Sequence, residues 1–500
     1  MLPASDPQQK KAGLAYWAGR ALEECDKASV GFAPDPVHDL RVAIRRCRSM
    51  ADGFLSVDPD PAWKRMKRLA KPLFSSLGEL RDTQVMMEWV AKLSPAGDPV
   101  GESMTAALAQ KETTLKLAAQ DVLAGFDRKH WASLNAHLAT RTGRIPLEGL
   151  VFQHLALERW TEAHQLHGRA LRNRSGVGYH QLRIGIKRFR YTVENFLPQR
   201  HAQWAKDLRA LQDTLGEVHD LDILRAMIRA HADISADERL RWQKRVSEER
   251  ERRLHLYRLK MLGKHSLWQV WRSGLPVGHV LEEAAMEKLR SWASSLDPDI
   301  AHSARVNHIA LQLYDGLSRC EVISARAEHR RILEAAAILH EVGRSKSEGG
   351  NSGTRPKRGY RMVSRLHPPL GWSEEEMHCV AVLVRYHSGG LPLTSNSSFV
   401  GLAPRRRAEL MPLIGILRLA NTFDREHDGS ISSVSVEQQN GFLVVYGKGL
   451  RRISRAAEQL ARARYLLEAT SHLPILVRPM PAKTIASPQT KRLQRRAAVS

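Results

Sequence analysis

Cysteine, aromatic residues and acidic charge are all scarce in this chain, and each scarcity excludes a class of protein. The four cysteines, Cys25, Cys47, Cys320 and Cys379, show no paired spacing, which argues against a disulfide framework and fits a reducing cytosol. No run of about 18 consecutive apolar residues occurs, and the first residues lack the apolar core of a signal peptide. We therefore expect a soluble, cytoplasmic protein with no membrane partner.

The shortage of acidic residues leaves a large positive surplus. Lys and Arg number 77 against 53 Asp and Glu, so the formal net charge is +24 and the isoelectric point is near 10.2. Such a balance favours a polyanionic partner, either nucleic acid, polyphosphate or an anionic membrane. The 43% hydrophobic content is too high for a disordered basic protein, and 500 residues suffice for two or three domains.

One segment, Val37–Leu55, occurs again as Tyr179–Leu197. On a helix at roughly 100° per residue, each copy separates into an apolar face and a basic face. The apolar faces consist of Leu40, Ile44, Cys47, Ala51 and Phe54, and of Leu182, Ile186, Phe189, Val193 and Phe196. The basic faces, here called the basic stripes, consist of His38, Arg41, Arg45 and Arg48, and of His180, Arg183, Lys187 and Arg190.

The basic stripes carry one sign of charge. A solvated helix surface normally mixes both signs, because Glu and Lys three or four residues apart attract each other. Like charges at this spacing repel, and the repulsion is repeated in the second copy. We interpret the stripes as anion-binding, with a simple solvated surface as the alternative.

A second motif follows each stripe. Leu77–Asp82 (LGELRD) corresponds to Leu215–Asp220 (LGEVHD), and further cations precede both motifs. The repeated motifs therefore indicate that residues 8–275 are an internal duplication, with halves at about 8–142 and 147–275. We predict about four helices in each half, packed around a pseudo-two-fold axis.

These two motifs, repeated in the same order, resemble the CHAD family. The resemblance implies an all-helical fold of two four-helix halves and a basic cavity that binds inorganic polyphosphate. It carries over as polyphosphate contacts the eight residues of the basic stripes. It also carries over, less directly, Lys67, Arg68, Lys71, Arg81, Lys206 and Arg209. His219 stands where the first copy has Arg81, so charge at that position would depend on pH.

The alternative ligands for this half are a metal ion and nucleic acid. A metal is disfavoured, because the histidines lie beside arginines and no carboxylate or cysteine recurs at ligand spacing. Nucleic acid is the stronger alternative ligand, as a secondary polyanion. Single-strand binders interleave cations with aromatic stacking platforms, and on the stripes only Tyr191 qualifies.

From Pro276 onward the pattern changes to a second helical domain, expected at 280–480. A β-hairpin is predicted near its end, because two alternating β-branched runs, Ile431–Gln438 and Phe442–Tyr446, flank Asn440 and Gly441. Residues 482–500 are basic and nearly free of apolar side chains, so we expect a disordered tail there.

His302, the LHEVGR segment at 339–344, the VRYH segment ending at His387, and ILRLA at 416–420 resemble the helical C-terminal domain of the exopolyphosphatase and guanosine-pentaphosphate phosphohydrolase family. That domain is similar to HD-domain hydrolases, which hold divalent metals on His and Asp. Here Glu341 replaces one expected Asp and Asn421 the other, with Asp424 nearly a turn later. We expect no metal, with His302, His340 and Glu341 as the weak candidate ligands.

The sequence thus predicts a mainly all-α protein that binds inorganic polyphosphate without a cofactor and without catalysis. Polyphosphate granules in the cytoplasm are the candidate location. The actin-like catalytic domain that precedes the helical part in exopolyphosphatases is missing from residues 1–275. Two alternatives stay open: an HD-type, metal-dependent phosphohydrolase acting on polyphosphate or phosphorylated nucleotides, and a nucleic-acid-binding protein. The oligomeric state is not predicted.

Overall fold

The computed structural model describes residues 13–231, 234–345, 355–393, 395–450 and 456–481, so the predicted basic tail lies outside the described residues. The described chain is mainly helical with one small sheet, which confirms the predicted fold class. It divides into two compact units, 1–295 and 296–500. No described helix is both long enough and apolar enough to cross a bilayer.

The first unit shows the duplication as two successive sets of helices. The first set is α1 (Leu14–Ser29), α2 (Pro34–Phe54), α3 (Pro61–Leu69), α4 (Lys71–Leu93), α5 (Pro99–Ala124) and α6 (Arg128–Thr142). The second set is α7 (Leu150–Asn173), α8 (Gly176–Phe196), α9 (Pro198–Ala230), α10 (Ala236–Met261) and α11 (Leu267–Ser273). One long helix, α9, corresponds to α3 and α4 together. Pro72, at the second position of α4, lacks the N–H that a continuous helix needs.

Equivalent helices of the two sets pack against each other, α2 on α8 and α4 on α9. This like-on-like pairing is what a two-fold relation between the halves requires. One shared core joins α4 and α5 to α9 and α10 through Trp89, Met104, Leu224 and Trp242. A second contact joins α2 to α8, where Phe54 lies 5.4 Å, centroid to centroid, from Phe196.

The end of the first unit differs from the expected domain boundary. Helix α12 (Gly278–Ser294) was assigned to the second domain, but it packs on α7, and Lys288 Nζ lies 2.5 Å from Glu158 Oε1. By packing, the division between the compact units falls after Ser295.

The second unit combines helices with a small sheet. Its helices are α13 (Ile300–Arg319), α14 (Ala327–Leu339), α15 (Arg355–Val363), α16 (Glu374–Tyr386), α17 (Pro404–Phe423) and α18 (Ala456–Ser471). The predicted hairpin is confirmed as β1 (Ser433–Gln439) paired antiparallel to β2 (Phe442–Lys448). Asn440 and Gly441 have φ of 45° and 83°, as a tight hairpin turn requires. Helix α15 and strand β3 (Ile475–Pro479), which pairs parallel to β2, were not predicted.

The close approach of α2 and α8 generates a stability prediction at Gly53. A Cβ at this position would lie 2.3 Å from Cε2 of Phe196, whose ring is buried and stacked 4.2 Å from that of Phe152. Because this ring cannot move aside, Gly53→Ala should destabilise the first unit by about 1–3 kcal/mol. Urea unfolding followed by tryptophan fluorescence measures this unit, since every tryptophan except Trp372 lies within it.

The matched control is Gly19→Ala in α1, where a Cβ would meet nothing within 4 Å. Alanine is the better helix former there, so this variant should be neutral or up to about 1 kcal/mol more stable. Equal unfolding midpoints for the two variants would contradict the proposed helix contact.

Candidate functional site

Helices α2 and α8 carry the basic stripes on the side opposite to their buried residues. Leu40 and Ile44 in α2, and Leu182 and Ile186 in α8, are all 0% exposed. The basic side chains next to them are partly buried rather than extended into solvent, apart from His38, which is exposed. The apolar faces therefore fix both helices in rotation and thereby fix the direction of the stripes.

Polar contacts between α2 and α8 hold the two stripes side by side. Arg46 forms an ion pair with Glu194, and its Nη1 donates to Asn195 Oδ1 at 3.2 Å. Asn195 Nδ2 in turn donates to Ser49 Oγ at 2.8 Å. Tyr191 of α8 lies near the guanidinium of Arg45 of α2, with 5.7 Å from Cζ to the ring centroid. The two copies therefore meet along their basic sides.

Four cations converge at this meeting, two from each copy, and we call them the basic cleft: Arg41, Arg45, Arg183 and Lys187. Their mutual proximity appears in their electrostatics. Burial lowers the pKa of Lys187 to about 8, and the nearby positive charges of Arg183, Arg45 and Arg41 act in the same direction. Burial likewise lowers the pKa of Arg41. Keeping these charges close together in the free protein costs free energy, and a bound anion would offset that cost.

Several guanidinium nitrogens of the basic cleft have no hydrogen-bond acceptor among the described residues. Nη1 of Arg41, Nε of Arg45 and Nε of Arg183 are all buried and unpartnered. An unsatisfied buried donor costs about 1–3 kcal/mol. Arg41 reaches its place because Gly78 of the LGELRD motif has no side chain, since a Cβ there would lie 2.9 Å from Arg41 Nη1. The glycine of this motif therefore makes room for a cation of the cleft.

Two carboxylates from equivalent positions, Asp82 in α4 and Asp220 in α9, lie near the basic cleft. Neither forms an ion pair within 4 Å among the described residues, although the negative charge of Asp82 acts against burial and raises the pKa of Arg41 and of Lys187. Burial raises the pKa of Asp220 to about 6, and the negative charges of Asp82 and Glu217 add to that effect against the opposing charges of Arg183 and Lys187. Sequence reasoning noted these aspartates as part of a motif but gave them no place beside the cations.

The remaining predicted contacts do not all join the cleft. Arg48 donates to the carbonyl oxygen of Lys67 at 2.8 Å, and Lys67 itself pairs with Asp52. Two more residues have acidic neighbours: Arg81 lies 3.0 Å from Glu88, and Arg190 lies 3.8 Å from Glu194. Four others are exposed at the surface: Arg68, Lys71, Lys206 and Arg209. His38 lies with Arg41 and Arg81 at a cavity of about 360 Å³.

The second copy differs from the first at the histidine end of its stripe. His180 Nδ1 lies 3.2 Å from His219 Nδ1, a contact that requires one ring to donate and the other to accept. Burial lowers the pKa of His219 to about 4, and the charges of Arg183, His180 and Lys187 lower it further. His219 is therefore neutral near pH 7, whereas the equivalent Arg81 is charged.

The second unit brings together the residues that the sequence named as weak candidate ligands. His340 Nε2 lies 3.3 Å from His302 Nε2 and 3.9 Å from Glu341 Oε1. Ligand atoms of these three residues all lie within 4.8 Å of one another. His387 Nε2 is 3.9 Å from the same Glu341 oxygen. We call His302, His340, Glu341 and His387 the histidine cluster.

Each histidine of this cluster is oriented through its other ring nitrogen. Nδ1 of His340 donates to the carbonyl oxygen of Ala337 at 2.7 Å, and Nδ1 of His387 donates to that of Val384 at 2.8 Å. Burial lowers the pKa of His340 to about 3 and that of His387 to about 4. Both rings are therefore neutral, and their Nε2 atoms carry lone pairs.

The histidine cluster also contacts Asp424, Asn421 and His427. Asp424 Oδ2 lies 2.8 Å from His302 Nδ1 and also accepts from Arg305 Nε at 2.8 Å, so Asp424 orients His302 from behind. The Asn421 side-chain oxygen lies 3.2 Å from His302 Nε2. Sequence reasoning missed His427, which stacks on His302 at 3.8 Å between ring centroids and whose Nδ1 lies 2.6 Å from Asp299 Oδ2. The spacing of His302 and His427 along the sequence does not predict that their rings stack.

Comparison with protein families identifies both parts of the chain. Residues 18–229 match the CHAD domain, and residues 286–442 match domain III of the Ppx/GppA phosphatases. These matches confirm the predicted fusion of the two domains. A search of curated proteins finds no match to this chain.

The neutral His219 generates a prediction about acid stability. Its folded-state pKa is about 4, below the value near 6.5 of an unfolded histidine, so the unfolded chain binds the extra proton between these pH values. Stability should therefore fall as pH falls from about 6.5 to 4. His219→Gln should reduce that loss by about 1–2 kcal/mol, less than the full pKa difference implies because the ring is partly solvated, and urea midpoints at several pH values measure it.

The control is the exposed His130, whose replacement by Gln should leave the pH profile of stability unchanged. A His219→Gln profile that is parallel to the wild type throughout this range would show that His219 is not held neutral.

Proposed function

We propose that this chain, a CHAD domain joined to a Ppx/GppA phosphatase domain III, binds one inorganic polyphosphate polymer in the basic cleft. The convergence of cations from two equivalent helices, α2 and α8, is the observation that carries the proposal. A linear polyphosphate carries about one negative charge per unit and offers no bases to read. Its recognition therefore requires rows of cations, with arginines as bidentate donors to phosphate oxygens.

The unpartnered nitrogens of the cleft support an anionic ligand over a solvated surface. Phosphate oxygens would accept from the buried donors of Arg41, Arg45 and Arg183, which have no acceptor among the described residues. A bound polymer would also offset the burial and the repulsion that together lower the pKa of Lys187. Exposed cations at Arg68, Lys71, Lys206 and Arg209 would extend contact to a longer polymer, with weaker and more salt-sensitive binding.

Nucleic acid fits the cleft less well, because it has bases to stack and the cleft offers them little. Tyr191 is the aromatic ring of the stripes, and the guanidinium groups of Arg45 and Arg190 already lie near it, with Cζ atoms 5.7 and 5.8 Å from its centroid. We therefore propose polyphosphate as the primary ligand and nucleic acid as a competitor at low salt. Cytoplasmic polyphosphate granules are the proposed location, and retention of the polymer, rather than its hydrolysis, is the proposed role.

The principal test reverses the four charges of the cleft together: Arg41→Glu, Arg45→Glu, Arg183→Glu and Lys187→Glu. Binding of labelled polyphosphate of defined length, measured by calorimetry or fluorescence anisotropy, should be lost. A single Arg45→Ala should weaken binding about tenfold or more, since a hydrogen bond to a charged group contributes about 1.5–3 kcal/mol. Phosphate release, measured on the same samples, reports hydrolysis separately.

The matched control makes the same change in net charge elsewhere, at four exposed cations of the first unit: Lys111→Glu, Arg172→Glu, Arg241→Glu and Lys260→Glu. Its binding should weaken only slightly at physiological salt. Equal losses in the two variants would mean that net charge alone attracts the polymer, and tighter binding of single-stranded DNA at equal charge would favour the nucleic-acid alternative.

A separate prediction concerns pH and Lys187. Its pKa in the free protein is about 8, and a bound polyanion would stabilise the ammonium form and raise that pKa. The complex would then hold an extra proton above pH 8, so affinity should be flat from pH 7 to 8 and fall by up to about tenfold per pH unit above it. Lys187→Arg keeps its charge and should abolish this fall. Parallel profiles for both proteins would place Lys187 outside the binding site.

A further inference from the structure

We propose that the second unit binds one divalent transition-metal ion through Nε2 of His302, Nε2 of His340 and the carboxylate of Glu341. This site is separate from the basic cleft and does not depend on polyphosphate binding. The sequence argued against a metal, because two expected aspartates are replaced by Glu341 and Asn421. The arrangement of the side chains, rather than their identity, leads to the opposite inference.

The hydrogen bonds of the imidazoles determine which ring nitrogens carry protons. A backbone carbonyl can only accept, so His340 must donate from Nδ1 to Ala337, and a neutral His340 then has a bare lone pair on Nε2. His302 Nδ1 faces the Asp424 carboxylate at 2.8 Å, so a neutral His302 also has its lone pair on Nε2. These two Nε2 atoms lie 3.3 Å apart and face each other.

Other acceptor atoms surround the same point. The Asn421 oxygen is 3.2 Å from His302 Nε2, and Glu341 Oε1 is 3.9 Å from His340 Nε2. Rotation of the Asn421 amide would supply a donor to one nitrogen and leave the others unsatisfied. Lone pairs that converge in this way need a cation between them. A metal ion bound to both Nε2 atoms would be such a cation.

The separation of the two nitrogens fits a metal. Two nitrogens bound at about 2.05 Å to one ion, at a tetrahedral angle, lie about 3.3 Å apart. The observed separation of the two Nε2 atoms is 3.3 Å. The carbonyl behind His340 and the carboxylate behind His302 are the usual partners of metal-bound imidazoles, because they fix the tautomer and the ring orientation.

The donor set also selects the kind of ion. Two imidazoles with one carboxylate suit Zn²⁺ and similar ions such as Co²⁺ and Ni²⁺, whereas Mg²⁺ prefers oxygen donors and keeps its water. We therefore infer a Zn²⁺-type site. Its open side faces a cavity of about 270 Å³, which is also lined by Arg344, Arg355 and Arg425. An anion with phosphate oxygens is the class of ligand that such a rim would bring to the ion.

The test uses the full-length protein, stripped of metal and then titrated with Zn²⁺ or Co²⁺. Metal content, calorimetry and the visible spectrum of bound Co²⁺ are the readouts, so no enzymatic activity is needed. Wild type should bind one equivalent that is absent from His340→Ala. The isosteric Glu341→Gln removes the charged ligand and should weaken binding by more than the roughly tenfold that loss of an outer-shell partner costs. Inorganic phosphate should change the Co²⁺ spectrum of wild type and do so less in Arg425→Ala.

Two further variants separate metal loss from misfolding and from surface histidines. Asn421→Asp adds a carboxylate at the cluster and should tighten binding about tenfold or more, a gain that unfolding cannot produce. His308→Ala removes an exposed histidine from α13, the helix that carries His302, and should leave the equivalent in place. The proposal is wrong if wild type and His340→Ala hold the same amount of metal, or if Asn421→Asp brings no gain.

Discussion

The packing of the apolar sides of α2 and α8 is the interaction on which the rest of the first unit depends. Leu40, Ile44, Leu182 and Ile186 are completely buried, and Gly53 allows the two helices to meet at the Phe196 ring. Because each helix is fixed in rotation, its cations have no freedom to turn away from those of the other copy. Hydrophobic burial thus holds together four charges that would otherwise separate.

Duplication explains how one such cleft arises from two copies of a short motif. A two-fold arrangement places equivalent residues opposite each other, so Arg41 and Arg45 of one copy meet Arg183 and Lys187 of the other. The copies do not titrate alike, since Arg81 corresponds to the neutral His219, and Lys187, with a pKa of about 8, stands where the first copy has Arg45. The second copy therefore responds to pH where the first does not. The two copies therefore have the same fold but different titration behaviour.

Much of this arrangement could be predicted from the sequence, because helical periodicity alone separates the basic stripes from the buried residues. The hairpin could also be predicted, since Asn440 and Gly441 specify a turn. Contacts between residues far apart in the sequence could not be predicted. Arg48 and Lys67 face partners that no spacing reveals, namely a backbone carbonyl oxygen and Asp52. The packing of helix α12 on α7 and the approach of the His302 and His340 Nε2 atoms to 3.3 Å are likewise long-range contacts that residue spacing does not specify.

The central claim is that both copies bind a single polymer, and stoichiometry tests it most directly. Calorimetric titration with a short polyphosphate of defined length should give one polymer per protein. Arg41→Glu with Arg45→Glu, which reverses charge in the first copy alone, should then abolish binding because the second copy cannot hold the polymer unaided. Two polymers per protein, with one still bound at unchanged affinity after that reversal, would contradict the account.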